Sequence, residues 1–481
     1  MSKSRNHLKW FWRQYISATF TDIRTVTDFI NGSWIKDREE ESKKMRKVEK
    51  ATEGGYRDEA GLKEGLEPTL KGLNEMQIFL EAVEKLAVTS AHVFDQSLVV
   101  QLCEETDLES MKMIISVSQL ICPLLITLKG DYADFFSPKL ENMEVMQLRL
   151  EQYISNIKDI CGIFRQGSTT ALGLDSTSVD VDLSNVFDEE IEEMLLHMKV
   201  LQEIREDKPF RMAFLFQDKY EPFMEMFRER KERMLQFLED LEACAVTLDD
   251  MTKGARISNV AGSSLGMVGG ILSIVGLALT PVTFGVSMGL TVAGVGLGGI
   301  SGVNSVVTTI TEKGVNSVQK KKAEKTFEKF MEDMKSLQMC LNDVIKQHFE
   351  NIQESSTAQC LNIASNCASA LKGGNVFVKG TEAGLAAAKG AAAIGKAARG
   401  TFFAVNALFI GVDAFLIVNN SIDLYKNTPN IVSKFIKASA ALWRSEVNSM
   451  QKIYDSLEEV EENEHKKQQL QRPFYEGRAR V

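Results

Sequence analysis

The chain has 481 residues and a formal net charge of −10, with 25% charged and 44% hydrophobic residues. That length exceeds one simple core and calls for two or three packed regions. The acidic balance excludes bulk attraction to nucleic acid or anionic lipid, so any such attraction must come from local basic clusters.

Low proline content and abundant Leu, Met, Glu and Lys favour helix throughout. The expected fold class is all-α: an elongated helical bundle with a Gly-rich apolar hairpin and coiled-coil-like C-terminal helices. In chain order, residues 1–67 read as an aromatic and basic segment followed by a charged linker. Lys9-Trp10-Phe11-Trp12-Arg13 places aromatics between cations. Trp favours the headgroup boundary of a bilayer and basic residues favour an anionic leaflet, so Trp10, Phe11 and Trp12 form a candidate interfacial anchor. The competing reading is a first helix with its aromatics packed inward. Polar residues interrupt Met1 to Thr21 throughout, where a secretory signal would need an apolar run. From Lys36 to Lys50 charges of both signs predict a solvated helix or linker.

Residues 68–229 read as a helical domain, with Leu, Ile, Met and Val at three- and four-residue steps. Its Ser/Thr/Asp-rich stretch at 167–185 is a loop and an internal boundary. The seven cysteines are odd in number and lack metal-ligand spacing, which suits a reduced cytosolic chain better than a disulfide framework.

The region 230–457 holds the most unusual sequence. No Asp, Glu, Lys, Arg or His occurs from Ile257 to Thr311. A surface helix needs a polar face, so this segment is either buried or enters lipid. Pro281 and Gly285 mark a turn near its midpoint, leaving two arms each long enough to cross a hydrocarbon core about 30 Å thick. Gly262, Gly266 and Gly270 in the first arm, and Gly294, Gly298 and Gly302 in the second, recur every four residues. That spacing strips one helix face of side chains and lets two backbones approach closely, as in helix packing within lipid. The first arm gains only roughly 3 to 5 kcal/mol from its large apolar residues on an insertion scale. Such a hairpin is suited to conditional insertion.

Two heptad-like helices follow. Within 324–348, Phe327, Phe330, Met334, Leu337, Leu341 and Val344 form one seam. Within 431–457, Ile436, Ala440, Trp443, Val447, Met450, Tyr454 and Leu457 form another. Seams of period 3.5 pack against partner helices, and packing within the chain is the default expectation. Between them, 381–422 is Ala- and Gly-rich and then apolar, interrupted after Thr401 by the single charge of Asp413. A charged carboxylate there would cost about 2.5 to 3.5 kcal/mol to bury in lipid, and protonation would remove much of that. Asp413, with Asp423 at the segment's end, is therefore a candidate pH gate. Residues 458–481 form a polar tail.

These residues resemble the apolipoprotein L family. The resemblance is carried by Arg256-Ile257-Ser258-Asn259-Val260, Gly262-Ser263-Ser264, the run from Gly269 to Pro281, and Ala293 to Gly298. It returns at Val412 to Ile417, Ala440-Ala441-Leu442-Trp443 and Lys452-Ile453-Tyr454, and covers roughly Arg230 to Leu457. It implies an all-helical, lipid-binding, membrane-associating protein linked to lipid transport and, in some members, to pore or channel formation. Membrane lipids are the implied partners, with self-association on membranes and partner helices as further options. No cofactor, metal, catalytic residue or nucleic acid is implied.

The residues themselves offer no catalytic constellation. Gly390-Ala391-Ala392-Ala393-Ile394-Gly395-Lys396-Ala397 approaches a phosphate-binding loop, but Ala397 lacks the hydroxyl that holds magnesium. The expected location is the cytoplasm, with conditional attachment to intracellular membranes; the family name alone suggests an extracellular role. The competing function is a soluble helical scaffold whose apolar hairpin is permanently core.

Overall fold

The computed structural model describes residues 2–53, 59–95, 100–101, 108–129, 143–167, 180–184, 186–252, 317–355, 429–460, 464–472 and 474. The hairpin 257–311 with Gly262, Gly266, Gly270, Pro281, Gly294, Gly298 and Gly302 lies outside the described residues, as does segment 381–422. Asp413 and Asp423 also lie outside them.

The described chain is all-α apart from one antiparallel ladder of two residues per strand. The helices are α1 (Ser2–Asn31), α2 (Trp34–Glu53), α3 (Glu59–Ala87), α4 (Leu108–Ile121), α5 (Met143–Gly167) and α6 (Asp188–Glu206). They continue as α7 (Lys208–Leu215), α8 (Glu221–Thr252), α9 (Ser317–Ser355), α10 (Pro429–Glu458) and α11 (Glu464–Gln471). Strand β1 (Val100–Gln101) meets β2 (Asp180–Val181), with Val100 opposite Val181.

Local chemistry explains several ends. Helix α4 gives way to a 3₁₀ turn over Cys122–Leu128, because Pro123 has no N–H to continue the ladder. The Phe187 N–H donates to the Glu190 carboxylate at 3.0 Å, closing the start of α6. Asp207 caps α7 by accepting from the Phe210 N–H at 2.9 Å. The turn from α7 to α8 places Gln217 and Asp218 at φ of 52° and 59°, the left-handed region.

Helix α1 packs on α3 and α6, α2 on α3 and α5, and α4 on α3 and α5. The sequence break at 67/68 falls inside α3, and α1 belongs to this core: Leu8, Trp12, Tyr15, Ile16 and Ile23 are fully buried. Helix α2 differs from the solvated run its charges predicted. Its Arg38, Glu41 and Ser42 are buried. Arg38 Nε and Nη2 donate to Glu41 at 2.7 and 2.6 Å, and the Thr69 hydroxyl donates to Glu41 at 2.8 Å. Mutual neutralisation and hydrogen bonding let the charges leave water.

Arg205 of α6 is 1% exposed and ties this core together. Its Nη1 donates to the Thr19 and Thr89 hydroxyls at 2.8 and 2.9 Å, and its Nη2 pairs with Asp22. The guanidinium also lies 5.4 Å from the Tyr15 ring centroid.

Candidate functional site

Helices α8, α9 and α10 form a bundle of three long helices, in which α8 lies against both of the others. At 1.5 Å per residue, the 32-residue α8 is about 48 Å long. Arg233 of α8 meets Asp333 of α9, Phe237 meets Phe330, and Lys219 donates to Gln347 at 3.0 Å. Partner numbers fall as α8 numbers rise, so α8 and α9 are antiparallel. The same holds for α8 and α10: Phe227 meets Tyr454, Phe237 meets Trp443, and Arg444 donates to Glu242 at 2.8 and 3.0 Å. In this register Thr252, Ser317 and Pro429 share one end of the three-helix bundle.

Aromatic rings form its centre. Phe237 stacks on Phe330 at 4.5 Å, and Trp443 lies 5.4 Å from Phe330. Each such ring contributes about 1.5–3 kcal/mol by burial, with aromatic pairs adding about 0.5–1.5 kcal/mol. The sequence seams place as follows. Ala440, Trp443, Val447, Met450 and Leu457 are buried and Tyr454 is half-buried, while Ile436 lies in the first turns of α10. On α9, Phe330, Met334, Leu337 and Val344 are buried and Leu341 is partly so. Both seams pack toward α8 within the chain, and they meet each other at Phe330 and Trp443.

Of the three N-terminal aromatics, Trp12 is fully buried, its ring 4.6 Å from Phe474. It faces the core, leaving no ring surface for a headgroup boundary. Phe11 is partly buried, and Trp10 is 56% exposed.

The polar joints of the three-helix bundle were not singled out in the sequence. Arg149 of α5, buried, pairs with Glu446 of α10 at 2.6 Å, and burial raises the Glu446 carboxyl. The His348 Nε2–H of α9 donates to the Leu120 carbonyl at 3.0 Å, and burial lowers this imidazole from its ordinary 6.5. Both connect the three-helix bundle to the N-terminal core. Asp333 carried a readable signal: it lies three residues from Phe330 and beside Met334, on the apolar face of α9.

A cleft of about 340 Å³ between α2 and α3 is lined by charges of both signs, including Asp37, Lys44, Lys71 and Glu75. Among the described residues no cluster of His, Cys, Asp or Glu could hold a metal ion. No described helix is long and apolar enough to cross a membrane. Burial raises the Cys161 thiol to about 11, which keeps it protonated and unreactive.

The family model of Apolipoprotein L matches residues 179–452. The chain belongs to the apolipoprotein L family. The match begins well before Arg230 and ends at Lys452, so it takes in β2, α6 and α7 as well as α8, α9 and all but the last turns of α10. Human Apolipoprotein L3 is 34% identical over 122 residues, 25% of this chain and 30% of that protein. Human Apolipoprotein L5 is 34% identical over 101 residues, 21% of this chain and 23% of the relative. Human Apolipoprotein L domain-containing protein 1 is 27% identical over 119 residues, 25% of this chain and 43% of that relative. The chain thus aligns with less than half the length of each of these relatives. No solved structure matches. None of these relatives is named for a catalytic activity.

Proposed function

We propose that the protein binds membrane lipids reversibly, without catalysis, and acts in lipid transport or membrane remodelling from the cytoplasmic side of intracellular membranes. The observation that carries this reading is the apolipoprotein L match over 179–452, which encloses the charge-free stretch 257–311. The glycine ladder of Gly262, Gly266 and Gly270 against Gly294, Gly298 and Gly302 suits close helix pairing in lipid.

In this reading the three-helix bundle is the holder of the membrane-active stretches. The segment that holds the charge-free stretch leaves α8 after Thr252 and rejoins α9 at Ser317, while the Asp413 segment leads into Pro429 at the same end. Insertion of the hairpin precedes that of the Asp413 segment, which acid favours by protonating Asp413 and Asp423. Self-association of inserted hairpins would create an ion pathway. The free thiols of Cys122, Cys161 and Cys340 fit a reducing compartment.

The test is flotation of the full chain with anionic liposomes at neutral and acidic pH, followed by dye release. Binding with leakage, stronger in acid, is the expected result. Binding without leakage removes the pore and leaves lipid carriage. No binding at either pH overturns the reading and makes the hairpin a soluble core. Replacement of Asp413 by Asn should abolish the acid dependence; an unchanged pH profile would remove the gate.

A further inference from the structure

Beyond the family match, residues 464–474 cross back over the N-terminal core as a strap. Their composition reads as a polar tail, and α11 supplies eight residues, none of them buried. An isolated helix shorter than about 12 residues is marginal in water, so α11 is held by what it lies on. It lies antiparallel on α6: Lys466 pairs with Asp207, the Gln469 carbonyl meets His197, and Arg472 pairs with Glu193.

Each contact has its own chemical cause. The Gln469 carbonyl would find its helical partner four residues on, but Pro473 has no N–H to give. His197 Nε2–H donates to it instead, at 2.7 Å. Lys466 Nζ lies 2.6 Å from Asp207 Oδ2, while Asp207 Oδ1 caps α7. Lys467 Nζ lies 3.1 Å from Asp218, which the left-handed turn between α7 and α8 carries. The pairs of Lys467 and Arg472 are solvent-exposed and individually weak. The strap then ends in a ring, the one buried residue among its described residues. Phe474 is 4% exposed, edge-on to Trp12 of α1 at 4.6 Å and 5.3 Å from His197. Trp12 Nε1 is buried there without a hydrogen-bond acceptor, so the closed arrangement is not fully satisfied.

We propose that the face formed by α1, α6 and the α7–α8 turn is a docking site for a basic helix ending in an aromatic ring. The chain's own strap is its removable occupant, and the strap of a second copy takes its place. One aromatic anchor in a pocket, with charged pairs around it, is the anatomy of a docked peptide. A second copy is the partner because it carries the sequence that already fits. Helices α10 and α11 are joined by five residues, 459–463, and exchange across such a connection rebuilds every contact with an identical one. Lifting Phe474 also admits water to the Trp12 pocket and gives the indole N–H an acceptor. This docking does not depend on lipid binding, and it ties the end of α10 to a helix outside the family match.

The test uses full-length chains with complementary defects. Phe474→Ser keeps the site and loses the anchor, whereas Glu193→Lys keeps the anchor and reverses a charge of the site. Light scattering should show a complex in the mixture, and none with Phe474→Ser alone. A fluorescein-labelled peptide of Glu464–Phe474 should bind the Phe474→Ser chain and be excluded from the unaltered chain by its own strap. Replacing Phe474 by Ala in the peptide should weaken binding roughly thirtyfold. Adding Glu193→Lys to the Phe474→Ser chain should weaken the peptide further, and an Arg472→Glu peptide should recover the loss. A merely destabilised fold would not show that rescue. Circular dichroism would check folding, and the surface change Arg472→Glu would replace Phe474→Ser if the latter unfolds. Peptide binding no tighter to the opened chain than to the unaltered one would overturn the docking site. Peptide binding with no complex in the mixture would overturn the second copy as occupant. A complex formed equally by Phe474→Ser alone would place association elsewhere and overturn strap exchange.

Discussion

Asp333 of α9 accepts two hydrogen bonds from Arg233 of α8, from Nε and Nη2, each at 2.6 Å. The carboxylate is almost fully buried, and Arg230 Nη1 lies 3.5 Å away on the same side. Two guanidinium groups from one helix on a single carboxylate make this joint specific to one register of α8 against α9. That register brings the attachment points of the charge-free stretch to one end of the three-helix bundle.

Removing either partner should therefore loosen the pair. Asp333→Ala leaves two guanidinium groups facing an apolar seam, and should destabilise the chain by about 3 kcal/mol. Arg233→Ala should cost less, because Arg230 remains beside Asp333. A double-mutant cycle by urea denaturation measures the coupling, and a value near zero would show that the pair does not set the register.

Trp443→Ala should destabilise by about 3–5 kcal/mol through the cavity it leaves beside the stacked rings of Phe237 and Phe330. If the α10 seam instead served an external helix, this variant would keep its melting temperature and lose a binding partner. Thermal unfolding of the variant separates the two.

Arg205→Met should cost about 3 kcal/mol or more, because Asp22 is then left part-buried with its main partner gone. Combining it with Asp22→Leu should recover much of that loss. Failure of the double variant to recover would mean that the Thr19 and Thr89 hydroxyls, stranded by the change, carry the penalty.

Acid should weaken the joints at His348 and His197. His197 Nε2–H donates to the Gln469 carbonyl of α11 at 2.7 Å, and burial lowers both imidazoles below their ordinary 6.5. A depressed folded value means stability present above pH 6.5 and lost as pH falls through the folded values. The pH slope of the unfolding midpoint below 6.5 should flatten in His348→Gln and flatten further with His197→Gln.

Asp159 works in the opposite direction. Burial pushes its carboxyl up from 3.8 to about 6, against a smaller lowering effect of Lys158. Its contribution is fully present below pH 3.8 and is lost as pH rises through about 6. Asp159→Asn should stabilise the chain at neutral pH by about 1 kcal/mol, after allowance for solvent screening at this partly exposed site. Denaturation at neutral and acidic pH should show a gain confined to neutral pH.

Much of this protein was legible in its sequence because helical periodicity is a local property. The three- and four-residue steps from Phe330 to Val344 and from Ala440 to Leu457 specify buried helix faces whatever they meet. The charge-free, glycine-rich stretch 257–311, with its family-like strings, likewise pointed to the apolipoprotein L region. What each face meets is a matter of distant sequence. Trp10 and Trp12 are two residues apart and look equally suited to a membrane boundary, but the helix turns them about 200° apart. Only the packing of α3, α6 and Phe474 decided that Trp12 is core and Trp10 is surface. The run from Lys36 to Lys50 reads as solvated from its composition, because composition cannot show that Arg38 and Glu41 neutralise each other beside Thr69. The sequence determined the helices and the family. The tertiary structure decided which charges and rings are inside, since burial depends on contacts between residues far apart in the chain.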